Sequence, residues 1–436
     1  MTKNLMASFR VQRDELPLAI LMFSYFFLVI TSFWILKPIK KGLFIEYYDQ
    51  HGFSFLGALY TAPQAELLAK MLNMVVAFVA VVVFTQLSRQ FRRQQLTYLF
   101  SMFFIVCYLF FGQWLDAPGD VTVWSFYLFG DLFSTLMVAT FFAFLNDSVT
   151  PDAAKRLYGL VGLGGVCGGV FGTSVVSANV GMMPYSGWLW VCIGVAVLIM
   201  IVAGAAGSRV LVSAQSAATD EVSDEPTGNA ATEGARLVFS SYYLLSIVAI
   251  VGLYEIISTI VDFQFTSTVA HYLDGPDIGR HFATVFTITN WVSLFVQLFL
   301  TSFIMTRFGL GVALLILPAM IALGSSAFLF FPALWVGSML STADNGFSYS
   351  INQSSKEALY VPTSAAEKYR AKAFIDMFVQ RFAKAIAVLI SLGITFLFKD
   401  FESMRYLGLL TLVLIVVWIW AARYAGRKFA ELEEGS

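Results

Sequence analysis

Long apolar runs recur along the whole chain, and they constrain its fold more than any other feature. Each run holds about 17–25 residues, the length that an α-helix needs to cross the roughly 30 Å hydrocarbon core of a bilayer. The chain is 58% hydrophobic and only 13% charged, so a soluble domain would lack the polar residues to cover its surface. The runs therefore predict an all-α polytopic membrane protein with twelve transmembrane helices. They cover 17–38, 64–87, 96–115, 121–145, 157–178, 185–207, 239–263, 281–304, 309–330, 333–358, 366–397 and 404–424.

A single long tract of low hydrophobicity separates the sixth and seventh predicted spans. This tract, 208–238, is rich in Ala, Ser, Thr and acidic residues, which predicts a flexible cytoplasmic linker. It separates an N-terminal half, 1–207, from a C-terminal half, 239–436. The motif that begins at Asp152 after the fourth span returns in weaker form at Ser364 after the tenth. We therefore expect two pseudo-symmetric six-helix halves, and this arrangement resembles the major facilitator superfamily.

Basic residues concentrate on one side of the predicted spans. Arg10 and Arg13 precede the first span, and Arg423, Arg427 and Lys428 follow the last one. Cytoplasmic loops of membrane proteins carry an excess of Lys and Arg. An even number of spans places both termini on one side, so both are predicted to be cytoplasmic.

Three lysines at the outer end of the first span are the exception to this charge pattern. Lys37 and Lys41 either extend to the outer interface or line a pathway, whereas for Lys40 a role in the pathway is favoured. Pro38 lies between them and removes a backbone hydrogen bond, so a kink or break of the helix is expected.

The tenth span has a sharply polar face at 3.6 residues per turn. Six polar residues fall within about a third of its circumference; they are Asp344, Asn345, Ser348, Asn352, Ser355 and Lys356. Pro362 ends this pattern, and a further helix is predicted to begin near Ser364. That helix carries four charged residues into an apolar run, namely Lys372, Asp376, Arg381 and Lys384. Charges at membrane depth are costly, so they predict a functional site.

Acidic residues also interrupt other apolar runs. Asp131 lies in the fourth span, and Glu255 and Asp262 share one stripe of the seventh span. Asp131 and Asp262 have no basic residue within one turn, so their partners must come from other helices. The cations considered available are Lys40, Lys356, Arg381 and Lys384. In the second span Glu66, Lys70 and Asn73 lie on one face, and an intrahelical pair between Glu66 and Lys70 is the plainer interpretation.

The sequence does not support other classes of function. The net charge of −1 argues against an electrostatic nucleic-acid binder. The three cysteines, Cys107, Cys167 and Cys192, lie inside apolar runs and predict neither disulfides nor a metal site. The glycine run 162–172 lacks the context of a phosphate-binding loop, so it predicts close helix packing. No nucleophile stands beside a base, so the chain is not predicted to be an enzyme or to carry a cofactor.

Several motifs resemble the non-mitochondrial ATP/ADP translocase family of plastids and intracellular bacteria. The match is closest in three successive segments, Ser355–Pro362, Lys368–Asp376 and Arg381–Lys384. Looser matches are Tyr254–Asp262 in the seventh span and Ile35–Lys40 in the first. Asp131 lies where that family has a glutamate in the fourth helix, and Asp262 also replaces a glutamate.

The resemblance implies a carrier that exchanges ATP for ADP, or takes up nucleotides with protons, through intramembrane charges. Carried over by position, these charges are Lys40, Asp131, Asp262 and Lys356. The predicted substrate-binding residues are Lys40, Lys356, Arg381, Lys384, Asn352 and Asn345. The predicted charge-pairing or proton-coupling residues are Asp131, Asp262, Glu255 and Asp344. Lys372 and Asp376 are predicted to gate the cytoplasmic mouth.

The expected ligand is a nucleotide or another phosphorylated small anion, carried by a monomer in the inner membrane of a bacterium. Two alternatives stay open at this point. The same fold could carry a different anion or metabolite, or it could serve as a membrane sensor or scaffold that does not transport.

Overall fold

The computed structural model describes residues 15–149, 151–209, 230–363, 371–398 and 400–434, and this part of the chain is almost entirely helical. The helices of the N-terminal part are α1 (Leu16–His51), α2 (Ala62–Gln90), α3 (Arg93–Trp114), α4 (Asp120–Ser148), α5 (Pro151–Asn179) and α6 (Tyr185–Gly207). Those that follow are α7 (Ala230–Ser240), α8 (Tyr242–Tyr272), α9 (Pro276–Phe295), α10 (Ser302–Phe330), α11 (Leu334–Phe347), α12 (Gln353–Ala358), α13 (Lys372–Phe374), α14 (Gln380–Leu397) and α15 (Met404–Glu434).

Ten helical segments within the described residues are long and apolar enough to cross a membrane. The predicted spans 281–304 and 309–330 fall within one of them, the continuous segment Pro276–Phe330. Gly309 interrupts that segment with a φ of 79° and a ψ of 173°, a conformation that glycine adopts without strain. The predicted span 333–358 is divided between α11, a π-helical turn and α12, none of which reaches spanning length alone. These findings make the chain a helical integral membrane protein, and the count of twelve spans stays a prediction.

Two compact units make up the chain. Unit 1 comprises Met1–Gly52, Leu72–Ser223 and Gly275–Thr287, and unit 2 comprises Phe53–Met71, Asp224–Asp274 and Ile288–Ser436. Each unit has its own apolar core. Trp188 and several phenylalanines are fully buried in the first, and Trp418 is buried in the second.

The glycine run of α5 packs directly on the backbone of α1, inside unit 1. A Cβ atom on Gly164 would lie 2.7 Å from the carbonyl oxygen of Phe23, and one on Gly172 would lie 2.7 Å from that of Thr31. The Thr31 hydroxyl donates a hydrogen bond to the carbonyl of Gly168 at 3.3 Å. The close helix approach predicted from the small-residue spacing is therefore confirmed.

Two local expectations differ from the structure. The chain is not purely helical, because β1 (Phe53–Phe55) and β2 (Ala58–Tyr60) form an antiparallel hairpin whose turn places both Leu56 and Gly57 at positive φ. The last part of the predicted flexible linker is helical in α7, and Val238 of that helix is fully buried in the core of unit 2. At Pro38, where a kink or a break was expected, helix α1 continues without a break. Residues 210–229 of the predicted linker, and the repeat beginning at Ser364, lie outside the described residues.

Among the described residues, complete π-helical turns lie at Val296–Thr301, Ser348–Asn352 and Ile375–Val379. A π-helical turn takes in one more residue than an α-helical turn, so it rotates all later side chains about the helix axis. The polar face predicted for 344–356 from an unbroken period of 3.6 is therefore altered at Ser348–Asn352. Such turns often mark functional sites.

Candidate functional site

Lys40, Asp131, Asn73 and Tyr127 form a polar cluster inside unit 1, which we call the first cluster. The Lys40 ammonium makes an ion pair with the Asp131 carboxylate, donates to the Tyr127 carbonyl at 3.4 Å and lies 4.5 Å from the centre of the Tyr127 ring. Asn73 donates its side-chain amide to the other Asp131 oxygen at 2.9 Å. Asp131 thus receives its partners from other helices, and Lys40 is one of the predicted cations. Asn73 and Tyr127 had been given no role in the site.

The first cluster lies deep in its helices. Lys40 is eleven residues before the end of α1 and Asp131 is eleven residues after the start of α4. At about 1.5 Å per residue each lies about 16 Å from its helix end, which is roughly half of a 30 Å hydrocarbon core. The Lys40 side chain is only 6% exposed. It runs past Gly130, where an added Cβ would lie 2.6 Å from Lys40 Cδ, so only glycine leaves room for it.

The neighbouring lysines have aromatic surroundings. The Lys37 ammonium lies 4.4 Å from the centre of the Trp34 ring and 5.2 Å from that of Phe286. Lys41 is 4% exposed and lies 5.2 Å from the centre of the Phe282 ring. Extension of Lys41 to an exposed interface was therefore the wrong alternative, because aromatic faces attract the cation within the protein.

Glu66, Lys70 and Asp262 form a second cluster, inside unit 2. Lys70 makes an ion pair with Asp262, and its ammonium lies 3.6 Å from the Glu66 carboxylate on the preceding turn of α2. The partner of Asp262 was predicted among Lys40, Lys356, Arg381 and Lys384, and that prediction was wrong. The intrahelical contact between Glu66 and Lys70 is present, but the sequence did not indicate that Lys70 also reaches α8.

The polar residues of α11 and the following π turn are mostly buried against α8. Asp344 accepts a hydrogen bond from Ser258 at 2.7 Å, and the Tyr254 hydroxyl is 2.5 Å from that of Ser348. Asn352 is 2% exposed, and its amide nitrogen has no hydrogen-bond partner among the described residues. One other predicted residue of this stretch differs. Asn345 is half-buried and donates to the Ser341 carbonyl at 3.0 Å, a bond within its own helix.

Lys356 and Arg381 are half-buried cations of unit 2. The Lys356 ammonium lies 5.6 Å from the centre of the Tyr254 ring. Within the described ranges neither side chain makes an ion pair. Lys384, one turn after Arg381, lies 3.4 Å from Glu255 and is 47% exposed. The structure thus brings together a predicted cation and a predicted acid in this pair.

Lys372 and Asp376, which are predicted to gate the cytoplasmic mouth, have different partners in the structure. Lys372 donates to Glu357 at 2.5 Å, and Asp376 accepts from Gln380 at 3.1 Å. The π-helical turn at Ile375–Val379 breaks the regular i, i+4 geometry between the two residues. The contact of Lys372 joins it to the segment that carries Lys356.

Both clusters combine a lysine ammonium group with carboxylate acceptors. Lysine ammonium groups held by carboxylates can exchange that partner for phosphate oxygens through charge-assisted hydrogen bonds. In the part of the chain that the structure describes, no group of three or more His, Cys, Asp or Glu side chains could hold a metal ion.

Comparison with protein families identifies the chain's relatives. Residues 119–336 and 330–429 match the family described as TLC ATP/ADP transporter. The chain belongs to this family. The resemblance drawn from the motifs around Lys356 and Asp262 is thereby confirmed.

Individual members of the family are distant in sequence. The chloroplastic ADP,ATP carrier protein 1 of Arabidopsis thaliana is 24% identical over 361 residues, which cover 73% of this chain and 57% of that protein. The chain therefore spans a little more than half the length of the plastid carriers. ADP,ATP carrier protein 3 of Rickettsia bellii is 22% identical, and the match covers 97% of this chain and 96% of that carrier. These relatives are named as carriers and not as enzymes.

Solved transporters share the fold. A crystal structure of the nucleoside transporter NupG matches 94% of this chain and 99% of its own with a TM-score of 0.68 at 12% identity. The E. coli fucose:proton symporter FucP matches 95% of this chain with a TM-score of 0.51 at 14% identity. The described part of the chain therefore shares the fold of these solved transporters.

Proposed function

We propose that this protein is an alternating-access membrane transporter of a phosphorylated organic anion, and that the anion is a nucleotide such as ATP or ADP. Membership of the TLC ATP/ADP transporter family supports the substrate class. The observation that carries the proposal is the ion pair between Lys40 and Asp131, held about 16 Å from the nearer ends of long apolar helices. Inserting a charged side chain at that depth into a membrane costs about 2.5–3.5 kcal/mol. Charged residues there are therefore functional-site candidates.

The proposed cycle uses lysines that carboxylates hold in the absence of substrate. Asp131 keeps Lys40 charged and oriented, and a phosphate group then takes over part of that contact. Each charge-assisted hydrogen bond to phosphate contributes about 1.5–3 kcal/mol. Lys356, Arg381 and Lys384 are proposed as further phosphate contacts in unit 2, with Asn352 and Asn345 as polar contacts. Asp262, Glu255 and Asp344 would balance the charge, and Lys372 with Asp376 would gate the mouth.

Transport by the purified protein in liposomes tests the function. We expect vesicles preloaded with unlabelled ADP to accumulate labelled ATP, and the variants Lys40→Gln and Lys356→Ala to lose saturable uptake. Arg280→Gln is the control, because Arg280 is exposed and paired with Asp277 on the surface. No uptake or counterflow of any nucleotide by the wild-type protein would refute the proposal. A thermal-shift panel of sugar phosphates and carboxylates would then identify a different anion.

We propose further that the fold comprises twelve membrane helices in two pseudo-symmetric six-helix halves. The break at Gly309 within Pro276–Phe330 supports two spans there, and α11, the π turn and α12 together are long enough for another. Both termini would lie in the cytoplasm of a bacterium, with the protein a monomer in the inner membrane. Single cysteines in the loops of a cysteine-free variant, labelled from outside intact cells, test this topology. Labelling of a cysteine at Arg89 from outside would reverse the proposed orientation.

A further inference from the structure

We infer that Lys70 is a direct contact for the phosphate chain of the transported anion, in addition to Lys40 and Lys356. The inference rests on the proposed function and deepens it, because it names a cation that the sequence had given only an intrahelical partner. Its support comes entirely from the second cluster of unit 2, which consists of Glu66, Lys70 and Asp262.

The second cluster lies at the depth expected of a substrate site. Lys70 is eight residues after the start of α2, and Asp262 is ten residues before the end of α8. At about 1.5 Å per residue these positions are about 12 Å and 15 Å from the helix ends, against a hydrocarbon core of roughly 30 Å. A lysine at this depth needs either a permanent partner or a functional reason.

The exposure of the three side chains shows which of them an anion can reach. The Lys70 side chain is 24% exposed and that of Asp262 is 27% exposed, whereas Glu66 is 2% exposed. Lysine carries three N–H donors, so it can hold a carboxylate and a phosphate oxygen at the same time. The ion pair between Lys70 and Asp262 is therefore open to solvent, from which an anion can approach.

The charges of the second cluster determine which contact of Lys70 a bound phosphate would replace. Among the contacts of the described residues, the carboxylates of Glu66 and Asp262 both face the Lys70 ammonium, so an incoming phosphate competes with one of them for Lys70. Asp262 is the one displaced, because it is partly exposed and lies on a different helix. Glu66 is buried and one turn away on the same helix, so it keeps Lys70 in place. Anion binding would thus open the contact between α2 and α8 while Lys70 stays anchored.

Binding measurements on four variants test this inference. The dissociation constant is measured by calorimetry in detergent for the nucleoside di- or triphosphate that binds the wild-type protein most tightly, and for the corresponding monophosphate. We expect Lys70→Gln to weaken binding of the longer phosphate chain by about 10- to 100-fold, the effect of losing one charged contact. The monophosphate should lose less, and Lys70→Arg should retain binding within a few-fold. Lys428→Gln, on the exposed face of α15, is the matched control and should bind normally.

The variant Asp262→Asn separates substrate binding from a structural role. If Asp262 competes with phosphate for Lys70, this variant binds the nucleotide as tightly as the wild type or more tightly. A salt bridge that only joins two helices predicts the opposite, namely that Asp262→Asn and Lys70→Gln weaken binding equally. That result would overturn the inference, as would normal nucleotide binding by a Lys70→Gln protein that elutes and melts like the wild type. Absence of nucleotide binding by the wild type would instead refute the proposed function.

Discussion

The two lysine–aspartate clusters have the same chemistry but differ in how firmly the lysine is held. In the first cluster Lys40 is 6% exposed, and a backbone carbonyl, an aromatic face and Asp131 all contact its ammonium. In the second cluster Lys70 is four times as exposed and lies between two carboxylates. The first cluster therefore holds its lysine more firmly than the second cluster does.

The largest expected effect on stability is that of Lys40→Met. Removing one member of a buried ion pair leaves the other without compensation, so the free energy of unfolding should fall by about 3 kcal/mol. Thermal unfolding in detergent micelles measures this loss. The double variant Lys40→Met, Asp131→Leu should recover most of it, because an apolar pair carries no unpaired charge. A double variant as unstable as the single one would contradict the interpretation that the ion pair with Asp131 holds Lys40 in place.

The next largest effect is expected of Gly130→Ala, which fills the space that Gly130 leaves for Lys40. Gly130→Ala places a methyl group 2.6 Å from Lys40 Cδ, so the lysine must move away from Asp131. We expect a loss of about 2 kcal/mol in stability, together with reduced transport. Gly194→Ala is the matched control, since an added Cβ there meets no atom within 4 Å. That variant should be unchanged or stabilised by about 0.5–1 kcal/mol, the usual gain from replacing a helical glycine.

In the second cluster, Asp262→Asn should lower the free energy of unfolding less than Lys40→Met and Gly130→Ala do. Glu66 still offers a carboxylate 3.6 Å from Lys70, so the lysine keeps an ionic contact. The expected loss of stability is about 1 kcal/mol, measured by the same thermal unfolding. A loss as large as that of Lys40→Met would remove the distinction between the two clusters.

The smallest effect is expected at Lys384, the other predicted phosphate contact with a carboxylate partner. Its ammonium is 3.4 Å from the buried Glu255, and its own side chain is about half exposed, so solvent screens the pair from the lysine side. Lys384→Gln should change the free energy of unfolding by less than about 1 kcal/mol. Reduced nucleotide uptake with unchanged melting would assign Lys384 to the substrate. A large loss of stability would assign it to the fold.

Hydropathy and charge predicted where the helices lie more reliably than which helices meet. The apolar runs predicted where most helices lie, because membrane-spanning length and composition are local properties of the sequence, although α1 continues thirteen residues beyond its predicted end at residue 38. The membrane cost of charge singled out Asp131, and the resemblance to the translocase family selected Lys40 among its neighbours; the structure joins these two residues. The partner of Asp262 was missed, because periodicity gives the face of α2 on which Lys70 lies but not the helix that packs against that face.

Irregular backbone accounts for other features that the sequence did not predict. The turn at Ile375–Val379 holds an extra residue, which interrupts the regular spacing between Lys372 and Asp376, and no sequence signal marks such a turn. Lys372 contacts Glu357. The hairpin after α1 turns at Leu56 and Gly57, and leucine at positive φ is rare enough that the sequence does not suggest it. The roles of the individual site residues stay predictions until the variants above are measured.

The contact of α5 on α1 has a consequence for motion. Where backbone touches backbone, there is no layer of flexible side chains to absorb sliding, so the two helices should travel as one block during the cycle. Spin labels placed on the far sides of α1 and α5 should keep a constant separation, with and without nucleotide. The hinges that let substrate in and out must then lie elsewhere in the chain.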